Sequence, residues 1–495
     1  MSPVSGLRYA ASATVFVVLA TLNAAGYRYG ASDQALYIPA VVRHLEPAAF
    51  PRDAPLIDAQ ARLMLNDDLL AGLARATGLS LQRLFAVLYV CTLILLLAAA
   101  ARIASRLYRT RWAVAALCAA LTLRHAVAKT GANTLEGYFH PRQLAFALGL
   151  FALGFFLDRR ERVSLVLVVC AVALHPTTAA WFAVWLGVAV WVARPEWRRG
   201  VIVAALAGVA AGVVALARGS LAGHLVRMDP DWLAVVADRD YLFPLAWPVN
   251  VWVTNLVTIP IIAVCWRIRR RSGLTIPRED ALVIGALALA VVFFCWLPFN
   301  AAHVALAVQL QATRVFWMLD VFATFYLVWA LAEGTAAIAP AARRAAIVTV
   351  LILAASLARG LYICFVQFPQ RPVFAIDLQH GDWRNAMAWA RTTDPGSGWL
   401  ADPAHASKYG SSLRAAGWRD VLVEALKDPA IAMYDRETAM HVAERQRALS
   451  AFHWDTEDGA VALAKRFGLD YLVSERELKL PLAHRSGSLY IYRLR

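Results

Sequence analysis

Cysteine is scarce in this chain and badly placed for a covalent framework. Its six cysteines (Cys91, Cys118, Cys170, Cys265, Cys295 and Cys364) lie in or beside apolar runs, and none follows Cys364. No CxxC pair occurs, so the sequence excludes a disulfide scaffold and a thiolate metal site. Internal repeats, low-complexity tracts and lipidation motifs are also missing. Ionisable residues are few in the middle of the apolar runs, whereas ion-coupled transporters keep such groups near the bilayer midplane. What is abundant is hydrophobicity, at 60% of residues, which no soluble globular protein carries.

Eleven apolar stretches cover residues 15–25, 81–101, 113–123, 144–157, 163–174, 181–192, 201–216, 251–266, 281–297, 315–331 and 345–365. Arginine clusters follow the second (Arg102, Arg106, Arg109, Arg111), fourth (Arg159, Arg160, Arg162) and sixth (Arg194, Arg198, Arg199). Others follow the eighth (Arg267, Arg269, Arg270, Arg271) and the tenth (Arg343, Arg344). If each stretch crosses once, all five clusters share the cytoplasmic side, as the positive-inside bias requires. The N-terminus is then inside and the C-terminal segment outside. A single kinked helix over 163–192 would move two clusters outside, so His175-Pro176-Thr177-Thr178 is read as the tip of a hairpin of short helices. A helix over 163–174 is roughly 18 Å long against about 30 Å of hydrocarbon, which predicts a groove open to the outer leaflet. The net charge of +15 belongs to these flanking clusters, which contact membrane lipids, and not to a nucleic-acid surface.

The expected fold class is thus a polytopic α-helical membrane protein of about 11 transmembrane helices with a small α/β extracytoplasmic C-terminal domain. The membrane module spans 1–366 and includes a long first outer loop over 27–80. Within that loop 34–45, 56–65 and 67–76 have helical spacing suited to the membrane interface. Composition becomes that of a soluble domain over 367–495, with helices expected at 382–391, 436–452 and 458–467. Strands are expected at 399–400, 421–423, 471–473 and 488–492. Arg- and Ala-rich usage fits a bacterial inner membrane.

Candidate chemistry sits near the outer ends of the helices. Asp33 could take a proton from an acceptor hydroxyl, or cap the helix-like run that follows it. Asp53 reads as a turn residue or an arginine partner. The second outer loop gathers Lys129, Glu136, His140 and Arg142 next to Arg124 and His125. Cationic side chains there suit a phosphate leaving group, or make a solvated polar loop. Glu136 and His140, at i and i+4, could hold a divalent ion if helical, with Asp33 a further candidate ligand. His175 is either a turn histidine or part of the same polar site. Gln311 and Arg314 share a helical face at i and i+3, where Arg314 could meet a lipid phosphate or snorkel.

Together these features resemble the GT-C superfamily of membrane glycosyltransferases. The match rests on Asp33 in the first loop, the Glu136 loop, Arg314 and the α/β tail. Gly137-Tyr138-Phe139-His140-Pro141-Arg142-Gln143 and His175-Pro176 are similar to stretches in an uncharacterised bacterial branch. The resemblance implies a polyprenyl-phosphate-linked sugar donor, an acceptor glycan or lipid, and transfer on the outer side. It assigns Asp33 as base and Lys129, Arg142 and Arg314 to the donor phosphate, with Glu136, His140, His175 and Gln311 in support. Many members carry a paired acidic motif in the first loop, where this chain has Ser32-Asp33, with Asp67-Asp68 coming late. A Trp-Trp-Asp motif is absent from the tail, which argues against protein N-glycosylation. Two other readings stay open: a non-catalytic polyprenyl-lipid-binding or envelope scaffold protein, and a transporter or lipid flippase.

Overall fold

The computed structural model describes residues 3–123 and 126–495, and it is mostly helical. Each of the eleven apolar stretches builds a helix. Among the described residues seven helices are long and apolar enough to cross a membrane: Leu81–Leu107, Pro176–Ala193, Pro195–Arg218, Val249–Arg271, Glu279–Ala301, Ala305–Ala332 and Ile338–Gln367. The other stretches form shorter helices, among them Arg111–Ala120, whose 10 residues reach only about 15 Å. The chain is a polytopic helical membrane protein, with seven helices of spanning length among the described residues and the remaining apolar stretches in shorter helices. Two compact units make up the fold: Met1–Tyr27, Val87–Arg227 and Asp240–Phe374 in the first, and Arg28–Ala86, Met228–Arg239 and Ala375–Arg495 in the second.

In the first unit His175 interrupts the apolar run with extended backbone (φ −156°), and helix Glu161–Leu174 ends there. The next helix, Pro176–Ala193, packs back on it, and Ala171 and Ala179 bury together against Ala145 of helix Pro141–Leu157. Small side chains allow this close approach where apolar surface alone gives little drive. Several of the arginines that flank the apolar runs are held by carboxylates at helix ends. Asp158 pairs with Arg102 and Arg106, Glu161 with Arg194 and Arg278. Buried Glu333 accepts from the backbone N–H groups of Arg109 and Thr110. The Arg269 guanidinium clasps Glu279 at 2.6 and 3.0 Å and also donates to the Leu107 and Leu274 carbonyls, while the Tyr326 hydroxyl meets Glu279 at 3.2 Å. Both charges are almost fully buried, a state sustained only when every donor finds an acceptor. Arginines that read as topology signals thus also fasten helix ends to one another.

The second unit centres on a five-stranded sheet. Its strands are β1 (Gly398–Leu400), β2 (Asp420–Val421), β3 (Tyr471–Ser474), β4 (Leu482–Ser486) and β5 (Leu489–Arg493), in the order β2-β1-β3-β5-β4. β1 runs parallel to β2 and β3, and the β4–β5 hairpin closes the sheet antiparallel. One face buries Trp383, Met387, Leu413 and Val473; the other buries Leu422, Leu449, Leu463 and Leu472. Helices Asp382–Ala390, Arg436–Phe452 and Glu457–Phe467 supply these layers close to where the sequence places them. The unexpected strand is β4, whose Leu-Ala-His-Arg-Ser run lacks an apolar alternation because it forms a largely exposed edge. Gly487 turns the hairpin at φ +57°, and any Cβ there would strike the Asp382 carboxylate, which accepts from the Ser488 N–H and hydroxyl.

Three first-loop helices, Gln34–Leu45, Ala54–Ala61 and Asn66–Thr77, belong to this same unit. Tyr37, Ile38, Val41 and Val42 are buried on the first of them, which packs against Leu413–Gly417. These helices therefore spend their apolar faces largely on protein. The third keeps a second apolar row, Leu65, Leu69 and Leu73, exposed at i, i+4 and i+8, as a helix at a membrane surface would. Helix Pro230–Val236 joins them, with Asp229 capping its N-terminus and the Trp232 indole N–H reaching the Ala432 carbonyl at 2.8 Å.

Candidate functional site

The Gly137–Gln143 motif is a helix-start device. Gly137 lies so close to the Ala24 and Gly26 carbonyls that a Cβ would approach them to 2.8 and 2.5 Å. His140 then caps helix Pro141–Leu157, its Nδ1 accepting the Arg142 N–H at 3.1 Å. Pro141 occupies the first helical position, where a missing N–H costs nothing. Gln143 donates to the Thr134 carbonyl at 2.9 Å, and the Arg142 guanidinium reaches Glu136 at 3.4 Å. Asn133 donates to the same Glu136 oxygen at 3.1 Å. With Nδ1 accepting, the neutral His140 ring carries its proton on Nε2.

His175 repeats the device one helix later. It caps helix Pro176–Ala193 through Nδ1, with the Thr178 N–H at 3.3 Å and the Thr177 and Thr178 hydroxyls at 3.2 and 3.0 Å. The two histidine rings meet edge to face, 6.4 Å between centroids. Arg314 and Arg142 are the cationic groups acting on His175 through space. Two helix N-termini, each carrying partial positive charge, thus share one buried locality with two guanidinium groups, and that combination favours an anion. Arg142 also lies over the Trp317 ring at 5.9 Å, and Trp317 stacks on Phe146 at 3.8 Å.

Several sequence expectations need correction here. Residues 136–140 are not helical, so Glu136 and His140 do not share a helical face as an i, i+4 metal pair. Among the described residues no three His, Cys, Asp or Glu side chains gather as metal ligands. Gln311 and Arg314 do not share a helix either. Helix Ala305–Leu310 ends at Gln311, which is left-handed (φ 48°, ψ 52°), and Ala312–Arg314 is a 3-10 turn leading into helix Val315–Ala332. The turn, in place of a helical face, presents Arg314, which is 8% exposed. Lys129 pairs with Asp240 at 3.1 Å. Arg124 and His125 lie outside the described residues.

Asp33 belongs to the second unit. It stands at the start of helix Gln34–Leu45, yet its side chain makes no capping hydrogen bond. Its Oδ1 instead accepts from the Lys427 ammonium of the C-terminal segment. Twenty residues on, Asp53 makes a second link: Oδ2 takes Arg414 at 2.7 Å and Oδ1 takes Arg445 at 2.9 Å. Arg414 also grips Asp428 and donates to the Val421 carbonyl at 3.1 Å. Asp53 is therefore an arginine partner, of Arg414 and Arg445 and not of its neighbour Arg52. Burial opposes the charge on Asp53, but Arg414 and Arg445 hold its carboxyl below the usual range. Burial and then the Asp53 charge push the neighbouring Asp420 up to about 6. Burial, opposed by Arg414, pushes Glu424 up to about 7. Neither Lys427 nor Arg414 carried a sequence signal of its own; both are single basic residues in the C-terminal segment.

A small apolar cavity in this unit, lined by Leu36, Tyr37, Leu56, Ile57 and Ile431, also meets Asp67. Burial first, then Asp68 and Asp58, push the Asp67 carboxyl up to about 8. In the unfolded chain it ionises near pH ~4. Between those values the unfolded state binds fewer protons, so this group makes stability fall as pH rises through that window, by at most ~1.4 kcal/mol per pH unit. Glu424 and Asp420 add contributions of the same sign over narrower windows. Asp67→Asn is expected to gain stability relative to wild type as pH goes from 5 to 8, read by denaturant unfolding. An unchanged difference at the two pH values would count against a protonated Asp67.

No protein-family model matches the chain, and no curated protein matches it.

Proposed function

We propose that the chain is a GT-C-type membrane glycosyltransferase. It moves a sugar from a polyprenyl-phosphate-linked donor to an acceptor glycan or lipid on the periplasmic side of a bacterial inner membrane. The proposed topology has eleven crossings, with the N-terminus cytoplasmic and the C-terminal segment periplasmic. The acceptor oxygen attacks the anomeric carbon as its proton passes to the Asp33 carboxylate. The bond from that carbon to the phosphate oxygen breaks with inversion, and the electron pair leaves with the phosphate. Developing negative charge on the phosphate falls to Arg142, Arg314 and the helix starts capped by His140 and His175. The single observation that supports the reading most is that shared locality of two helix N-termini and two guanidinium groups.

The test is transfer by protein reconstituted in liposomes with radiolabelled polyprenyl-phosphate sugars. Wild type is expected to transfer label, and Arg142→Gln or Arg314→Gln to lower the rate by about 10²–10³-fold. A non-catalytic polyprenyl-lipid-binding role is the second reading, favoured by the lone Asp33 where many members of the superfamily carry a paired acidic motif. Absence of transfer from every donor, with polyprenyl-phosphate binding that Arg314→Gln abolishes, would replace the first reading by the second.

A further inference from the structure

The cap at the start of helix Pro176–Ala193 fixes where the His175 ring keeps its proton. Each hydrogen bond of that ring falls on Nδ1, from the Thr178 N–H and the Thr177 and Thr178 hydroxyls. A backbone N–H can only donate, so Nδ1 is the bare, accepting nitrogen. The proton of the neutral ring then sits on Nε2. A second proton, on Nδ1, would set N–H against N–H and break the cap. Nε2 lies on the ring edge turned away from the capped helix, and among the described residues no hydrogen bond reaches it. The residue is buried but not sealed, with 7% of its surface open. The charged groups acting on it are Arg314, in the turn before helix Val315–Ala332, and Arg142, in the first turn of helix Pro141–Leu157; the His140 ring lies beside it. A buried N–H is costly without an acceptor, and one flanked by two guanidinium groups suits an anionic oxygen.

We propose that His175 binds the donor phosphate directly and in its neutral form, through Nε2–H, and that the cap keeps this bond unchanged from about pH 5.5 to about pH 8. The inference rests on the glycosyl-transfer reading and names how that site holds its donor. When the bond from the anomeric carbon to the phosphate oxygen breaks, a phosphodiester with one negative charge becomes a monoester with two. The Nε2–H bond strengthens as that charge grows, and the proton stays on the imidazole.

His175→Asn separates the two edges of the ring. The Asn oxygen can still cap helix Pro176–Ala193, but its side chain stops short of the Nε2 position. Filter retention of radiolabelled polyprenyl-phosphate sugar by the detergent-purified proteins, without acceptor, is to be measured across that pH range, with thermal melting as the check on folding. A phosphodiester keeps its single charge throughout. His175→Asn is expected to melt as wild type and bind the donor about 10–100-fold more weakly, the effect of one hydrogen bond to a charged group. Wild-type affinity is expected to stay level with pH. A folded His175→Asn protein with wild-type affinity would overturn the proposal. So would wild-type binding that weakens toward pH 8 with a slope that His175→Asn lacks, which marks an imidazolium. Should His175→Asn fail to fold, nitrogen-15 spectra of the wild-type histidines decide. A bare Nδ1 and a protonated Nε2 that shifts on adding donor support the proposal, and a protonated Nδ1 or an unmoved Nε2 rejects it. Wild type that retains donor but never transfers sugar fails the glycosyl-transfer reading and leaves His175 to be scored by these binding results. Wild type that retains no donor overturns both.

Discussion

Replacing Asp33 by Asn is expected to lower transfer by about 10²–10⁴-fold, the range a positioned general base contributes. The amide keeps the shape of the side chain and can still accept from Lys427, so the contact at the start of helix Gln34–Leu45 survives. What it cannot do is take the acceptor proton. The loss should therefore fall on kcat, with donor binding preserved, because the donor phosphate is assigned to Arg142 and Arg314. Initial rates at saturating donor, together with a filter assay for donor retention, separate the two. Transfer by Asp33→Asn at the wild-type rate would remove Asp33 from the mechanism while leaving the anion site of the first unit standing.

Arg414→Met is expected to cost the second unit about 3–5 kcal/mol, the usual penalty for breaking a buried ion pair from one side. The guanidinium is 2% exposed and serves Asp53, Asp428 and the Val421 carbonyl at once. Without it, buried carboxylates on the first loop and on the C-terminal segment face one another with only Arg445 and backbone N–H groups in compensation. Asp53→Ala should cost less than Arg414→Met, since Asp428 still holds the arginine. Limited proteolysis of the purified protein reads the effect as earlier release of the C-terminal segment. A combined Asp53→Leu and Arg414→Met change should recover part of the loss, because an apolar pair strands fewer charges. Equal protease resistance of Arg414→Met and wild type would show that the network adds nothing to holding the loop on the sheet.

The helices were legible because lipid leaves a spanning chain no other way to satisfy its backbone. Largely apolar runs with basic flanks therefore marked all eleven, and among the described residues seven helices have spanning length. The His175-Pro176 break could be read for a local reason: a capping side chain followed by proline starts a helix wherever it occurs. Helix Gln34–Leu45 matched its expected bounds because its apolar spacing is complete within twelve residues. Strand β4 was not legible, since an exposed edge strand needs no apolar alternation. The i, i+4 pairing of Glu136 with His140 failed for a related reason. Spacing implies a shared face only inside a helix, and the His140 cap delays the helix to Pro141.

Local covalent neighbours therefore determined the apolar helices, the capped helix starts, the change to a soluble segment after the last long helix, and the candidate status of Asp33, His140 and Arg314. The tertiary structure alone decided that residues 28–86 and 228–239 fold with the C-terminal segment, and that Lys427 and Arg414 serve Asp33 and Asp53. Those pairs join side chains 394 and 361 positions apart. A buried charge accepts whichever opposite charge the packed backbone brings within reach, and nothing in either local sequence specifies that partner.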